Sequence, residues 1–247
     1  MSGNGLLRCI AGIDGCPDGW IAAIAPTDDL ADVHVRVFAR FGDIIEHGPF
    51  ARIAVDMPIG LPERAGPGGR AAERAVRPLL GGRQSSVFSV PARRAVYAPD
   101  YAAACKESLE HSDPPRKVSK QSFAIFPKIR ELDGLLRDNF DIVNIVHEVH
   151  PEVAFWRLNG ERPLTEPKKV KNRPYPPGLD ERRRLLASAG ISPAILAAKP
   201  PRGAAVDDML DALAGLVIAK RLHDGIAQPF PTQYERDEYG LPVAIWA

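Results

Sequence analysis

No stretch of this chain is apolar for long enough to cross a bilayer, which takes about 20 consecutive residues. A membrane-spanning segment is therefore not expected. The N-terminus lacks the basic region, apolar core and small-residue cleavage site of a secretion leader. Cysteine is scarce: Cys9, Cys16 and Cys105 are the three among 247 residues. They have no metal-ligand spacing and are too few for a disulfide framework. They suit a reducing compartment, with Cys9 a buried strand residue. Neither sign of charge is in excess, since 32 Lys and Arg against 31 Asp and Glu leave a formal net charge of +1. Any polyanion must then meet a local patch, not a bulk field. No internal repeat is present. These absences leave an ordinary soluble chain, expected in the cytoplasm, with 45% hydrophobic residues to build its core.

What is present is most unusual between Ala205 and Ala219. From Met209 onward nearly every residue is apolar or small, which marks a buried helix. Yet Asp207, Asp208 and Asp211 stand in its first turns, at spacings that bring them near one face. Like charges so placed repel, and burial sharpens the repulsion. The positive end of the helix explains Asp207 or Asp208 as an N-cap. It does not explain Asp211, one turn further in. A divalent cation does, provided that other carboxylates converge there.

Taken in order, Leu6 to Asp14, Trp20 to Ala25 and Val33 to Phe38 read as three strands of a meander. A short helix is expected over Gly42 to His47, then a fourth strand over Arg52 to Asp56, ended by Pro58. The first and fourth strands each finish on an aspartate, Asp14 and Asp56, and ligands gather at the carboxyl ends of strands in open α/β sheets. Leu61 to Gly69 is Pro- and Gly-rich loop. Helices are expected over Arg70 to Leu80, Tyr101 to Glu110 and Gln121 to Arg137, with Pro127 able to divide the last. Ile142 to Val149 reads as a fifth strand and Glu152 to Leu158 as a helix opened by Pro151. Pro193 to Ala198 reads as a further short helix.

Several polar groups compete for roles. Arg83, Ser85 and Ser86 sit in a segment whose guanidinium and hydroxyls suit phosphate oxygens. An ordinary connecting loop with Val87 and Phe88 tucked inward fits it equally. His147, Glu148, His150 and Glu152 invite a zinc site, but no Cys or further His completes the set. A strand ending on carboxylates fits better. Asn159 to Gly178 reads as a polar loop carrying Lys168 and Lys169. With Arg182 on the next helix it is the most cationic part of the chain, hence the candidate contact for a phosphate backbone.

The motifs Gly12-Ile13-Asp14-Gly15-Cys16-Pro17-Asp18-Gly19-Trp20, Val55-Asp56-Met57-Pro58-Ile59-Gly60-Leu61 and Arg83-Gln84-Ser85-Ser86-Val87-Phe88 together resemble the DUF429 family. So do Ser119-Lys120-Gln121, Glu148-Val149-His150-Pro151-Glu152 and Asp207-Asp208-Met209-Leu210-Asp211-Ala212-Leu213. The likeness spans roughly residues 8 to 225. That family is described as predicted nucleases. The resemblance implies an α/β, ribonuclease-H-like fold: a mixed five-stranded sheet flanked by helices, with a loop and helical insertion over 61–138 between strands four and five. One domain is expected over 1–247.

Asp208-x-x-Asp211 also resembles, more distantly, the acidic final helix of bacterial Holliday-junction resolvases. That comparison matches Asp14 to the first strand, Asp208 and Asp211 to the helix, and Asp56 to a position where those enzymes carry glutamate. It implies two-metal hydrolysis of a nucleic-acid phosphodiester by Asp14, Asp56, Asp208 and Asp211. Glu148 and Glu152 are further expected ligands. Arg83, Ser85, Ser86, Lys120, His150, Lys168, Lys169 and Arg182 are the expected substrate contacts. Oxygen-only donors favour Mg2+ or Mn2+ over zinc. DNA and RNA remain equal alternatives, and a homodimer stays open. Two other readings share the fold: an actin-like or sugar-kinase-type ATP-binding enzyme, for which no second Gly-rich phosphate turn follows a strand, and a non-catalytic binding protein.

Overall fold

The computed structural model describes residues 9–171 and 173–247. The expected start of the first strand, Leu6 to Arg8, lies outside them. Strands β1 (Cys9–Cys16), β2 (Gly19–Pro26) and β3 (His34–Phe38) form the antiparallel meander. Helix α1 (Phe41–His47) returns the chain to β4 (Phe50–Val55), which lies parallel to β1. The chain then leaves the sheet through α2 (Ala71–Val76), a 3-10 segment (Arg77–Ser86), α3 (Arg93–Val96), α4 (Tyr101–Glu110), α5 (Lys120–Ala124), α6 (Phe126–Asp138) and α7 (Phe140–Val143). It re-enters at β5 (Val146–Glu148), parallel to β4. The sheet order is β3-β2-β1-β4-β5. This mixed five-stranded sheet, flanked by helices, is the α/β arrangement expected of a ribonuclease-H-like fold.

After β5 come α8 (Pro151–Leu158), a small hairpin of β6 (Lys169–Val170) and β7 (Arg173–Pro174), α9 (Pro176–Ser188), α10 (Pro193–Ala197) and α11 (Val206–His223). The tail adds a two-stranded pair, β8 (Pro229–Phe230) with β9 (Ile245–Trp246). Among the described residues no helix is long and apolar enough to cross a membrane.

Local chemistry accounts for the departures from expectation. The helix expected over Arg70 to Leu80 is α-helical only to Val76. Pro78, which has no N–H to donate, follows in the 3-10 segment, and Gly81 breaks it with φ 51°. Pro127 does divide its helix, standing in the first turn of α6, where a missing N–H costs nothing. The fifth strand is shorter than expected. The Asn139 side chain accepts from the Asp141 amide at 3.1 Å and starts α7, which takes Ile142 and Val143 out of the strand. The polar loop expected over Asn159 to Gly178 holds the β6–β7 hairpin and the first turn of α9.

Strand alternation divides the core. Ile10, Ile21 and Ala23 face the layer of α8, α9 and α11, whereas Ala11, Ile13, Trp20 and Ala22 face the layer of α1 and α6. On β1, Gly12 and Asp14 follow Ile10 on the α11 face. A Cβ on Gly12 would lie 1.9 Å from the Leu216 nitrogen and 2.1 Å from the Ala212 oxygen, so α11 rests on the strand backbone itself. The tail closes the other side. Asp237 accepts from Arg93 at 2.5 Å and from the Leu61 amide at 3.0 Å, and the Tyr239 ring lies 4.5 Å from the Arg93 guanidinium and 3.7 Å from that of Arg137.

Candidate functional site

Three elements bring the acidic side chains together. Asp14 lies near the end of β1, which continues past the expected end at Asp14 to Cys16, and Asp56 follows the last residue of β4, its amide donating to the Ile13 carbonyl at 2.9 Å. Asp207, Asp208 and Asp211 come from the first turns of α11, which crosses the same face of β1 and β4. Asp14, Asp207 and Asp211 are buried, and Asp56 and Asp208 half-buried.

The electrostatics report the convergence. Burial pushes the Asp14 carboxyl well above the ordinary range, and the charges of Asp56 and Asp211 push it further. Burial raises Asp56 to about 7, with Lys168 acting against the rise and Glu152 adding to it. Asp211 goes to about 6 through burial, although Lys168 opposes this by charge and by hydrogen bond. Desolvation lowers the Lys168 pKa, but Asp211, Asp14 and Asp207 outweigh it and hold the pKa above the ordinary value.

Lys168 is therefore the counter-cation of the cluster. Its Nζ donates to Asp211 Oδ2 and lies 3.9 Å from Asp207 Oδ2. Lys169 Nζ lies 2.6 Å from Asp207 Oδ2. Both lysines, expected as contacts for a phosphate backbone, are placed on α11 carboxylates, where a buried acidic turn demands a nearby cation. Asp208 spends one oxygen on the amide of Ala205 at 2.9 Å, satisfying an orphan donor at the helix start.

Other expected residues divide between the cluster and elsewhere. Glu152, in the first turn of α8, helps raise the Asp56 and Asp211 carboxyls by its charge, but its Oε1 accepts from Arg182 Nη2. Arg182 is wholly buried, donating also to the Gly178 and Glu166 carbonyls at 2.9 and 3.2 Å. It is not available to a phosphate backbone, and that expectation is corrected. Glu148 is likewise diverted. It pairs in register with Val55, whose side chain belongs to the face opposite α11, and both of its oxygens are engaged. Arg70 donates to them at 2.5 and 3.0 Å and the Ile59 amide at 2.8 Å. Burial still raises Glu148 to about 7 against Arg70.

His150 precedes α8 and faces the acids. Burial lowers its pKa, opposed by Glu152 and by the Ser86 carbonyl, which lies 3.4 Å from Nε2. Its Nδ1 is buried without a partner. The 3-10 segment thus ends beside the site, with Ser85 and Ser86 exposed, Arg83 half-exposed and the Ser86 hydroxyl donating to the Arg83 carbonyl at 2.8 Å. Val87 beyond it is buried in the core. Lys120 is exposed at the start of α5.

One basic residue had no signal in the sequence. Glu131 of α6 accepts from the Trp20 indole at 2.9 Å and from the Phe41 amide at 2.5 Å, which docks α6 on the sheet. One turn earlier, Lys128 lies beside Gly15 of β1, next to Asp14: a Cβ on Gly15 would meet its Cδ and Cε at 3.0 Å.

The donor set fits a hard divalent cation. It is all carboxylate with no thiolate, a cationic ammonium already sits within it, and the buried Asp211 Oδ1 has no hydrogen-bond partner. The aspartates are not drawn tightly together. Among the described residues, the three-ligand grouping that comes within 4.8 Å is elsewhere, Glu107, Glu110 and His111 along α4. Carboxylates sharing one site repel, and Lys168 is wedged against them.

The fold and site together define an α/β protein with an acidic cluster where β1 and β4 end against a buried helix. The chain belongs to the family described as protein of unknown function (DUF429), whose model matches residues 12–236. No curated protein and no solved structure matches it.

Proposed function

We propose that this protein is a divalent-metal-dependent nuclease hydrolysing phosphodiester bonds of nucleic acid. The observation that carries the reading is that Asp14, Asp56, Asp208 and Asp211, from β1, the end of β4 and α11, lie near enough to act on one another's charge, with carboxyl pKa values pushed up at Asp14, Asp56 and Asp211. Such mutual destabilisation without a cation is what a site for one would be expected to store. Mg2+ or Mn2+ held there would supply charge neutralisation on the phosphodiester and a water made acidic enough to attack it.

The chain's own residues supply the rest. Asp14 and Asp56 are held by strand backbone and Asp211 by a helix packed directly on the backbone of Gly12, which orients the acids. Lys168 balances the cluster and, once released from Asp211, offers its ammonium to a phosphate oxygen. His150, kept neutral by burial, offers an unpartnered Nδ1 at the rim for proton exchange. Lys128 and Arg83 flank the site as further phosphate contacts.

The test is a panel of branched, single-stranded and duplex DNA and RNA with Mg2+ or Mn2+. Cleavage of at least one member, abolished by Asp14→Asn and by chelator, supports the reading. No cleavage, together with ATP hydrolysis that Asp14→Asn abolishes, would transfer the case to a phosphotransfer enzyme on the same fold.

A further inference from the structure

A cavity of about 250 Å³ opens on the inserted segment. Its wall carries no Asp or Glu. It presents Ser89, Ser108, Ser112, Ser119 and Ser122 together with Arg116 and Lys117, over an apolar floor that includes Phe88 and Val118. In a chain of near-zero net charge, a cavity with two cations and no carboxylate is a local positive field.

The hydroxyls are not all spent on the fold. Ser108 and Ser112 are, donating to the carbonyls of Arg116 and Ser108 at 2.7 and 2.6 Å. They shape the 108–116 loop, with the Arg116 amide donating back to Ser112 Oγ at 2.8 Å. Ser89 Oγ instead accepts from Arg77 Nη2 at 3.0 Å, so its own proton is free to donate. Ser119 and Ser122 share one hydrogen bond of 2.8 Å between their hydroxyls, which leaves one of the two protons to donate. Neither Arg116 nor Lys117 has a carboxylate partner among the described residues, and both side chains are exposed. Burial lowers the pKa of Arg77; the charge of Glu73 opposes this, and those of Arg116 and Arg74 add to the lowering.

We propose that this cavity binds a phosphomonoester, with Arg116 and Lys117 neutralising the dianion and Ser89 and the Ser119–Ser122 pair donating to its oxygens. The volume lies just below the range of about 300–1,000 Å³ typical of small-molecule sites, which suits a phosphate and part of its sugar. Phe88 and Val90 also line the recess that contains Asp56 and His150, so the two sites are neighbours through one pair of side chains. The phosphate has two sources, a free nucleotide or the phosphorylated end of a nucleic-acid strand. The inference goes beyond the nuclease reading and does not need it.

The test titrates the full-length protein, in chelator, with inorganic phosphate, a nucleoside 5′-monophosphate, and a short 5′-phosphorylated oligonucleotide beside its 5′-hydroxyl counterpart. Saturable binding of the phosphorylated probes is expected. R116E/K117E should weaken it by about tenfold or more, and so, by a smaller factor, should Ser122→Ala at unchanged Tm. Asp14→Asn should leave it untouched, which separates failure here from failure of the nuclease reading. Tighter binding of the phosphorylated oligonucleotide than of the monophosphate assigns a strand end, and equal binding a free nucleotide. An unchanged Kd in R116E/K117E, or no preference of any phosphorylated probe over the 5′-hydroxyl strand, would overturn the proposal.

Discussion

Gly12 and Leu216 stand in direct backbone apposition: a Cβ on the glycine would fall 1.9 Å from the leucine amide nitrogen. Gly215 repeats the closeness from the helix side, its Cβ position lying 3.3 Å from Gly12 Cα and 3.4 Å from the Ala54 carbonyl oxygen. Two glycines thus let α11 lie on β1 and β4, and Asp211 reaches Asp14 and Asp56 because of it. Gly12→Ala cannot be absorbed by a side-chain shift, since the obstacle is backbone. It should cost about 3 kcal/mol or more, at or beyond the usual range for overpacking. Denaturant unfolding measures that cost, and a loss under about 1 kcal/mol would show that the helix can lift off the strand.

Lys168 is the resident counter-charge of Asp211. Lys168→Met leaves a buried carboxylate without its cation, so Tm should fall in chelator. Added Mg2+ or Mn2+ should restore much of the loss, and the variant should gain more Tm from the cation than the wild type does. A fall that divalent cations do not repair would make Lys168 a plain structural partner.

Asp56 gives the pH dependence its sign. Its carboxyl titrates at about 7 in the folded chain against an ordinary 3.8, through burial, opposed by Lys168. Between those values the folded state keeps a proton that the unfolded chain has released. Its contribution to stability therefore falls as pH rises through that window and stays lost above it. Asp56→Asn removes the term. In chelator the Tm of the variant minus that of wild type should grow from pH near 4 to pH near 7. A flat difference would mean that Asp56 is not held up by its surroundings.

Arg182 separates structure from substrate contact. It is wholly buried and paired with Glu152, so Arg182→Met should destabilise by about 3–5 kcal/mol, the usual cost of breaking a buried pair. The salt slope of nucleic-acid binding, measured under conditions where the variant is folded, should be unchanged. A slope reduced by about one would return Arg182 to the phosphate contacts.

The sequence carried the elements that periodicity and strand ends can reveal. The meander, the aspartates at or near the ends of β1 and β4, the break at Pro127 and the buried acidic helix are legible because each is written in local pattern. The long-range partners were not. Nothing near Asp211 in sequence points to Lys168 as its counter-charge, and Lys128 reaches Gly15 only because Glu131 docks α6 on the sheet. Arg182 reads in the sequence as a candidate phosphate contact, and only the folded chain brings Glu152 and two carbonyls around it. The pairing of Glu148 with Arg70 was not legible for a narrower reason: strand alternation at the end of β5 sets its direction, and Arg70 is 78 residues away in sequence.

The most direct measurement of the central claim is anomalous diffraction from crystals of the full-length protein soaked in Mn2+. The account predicts an anomalous peak among Asp14, Asp56 and Asp211, with Lys168 Nζ withdrawn from Asp211 and the peak lost in Asp14→Asn. No peak at saturating Mn2+, with Lys168 still bonded to Asp211, would contradict it.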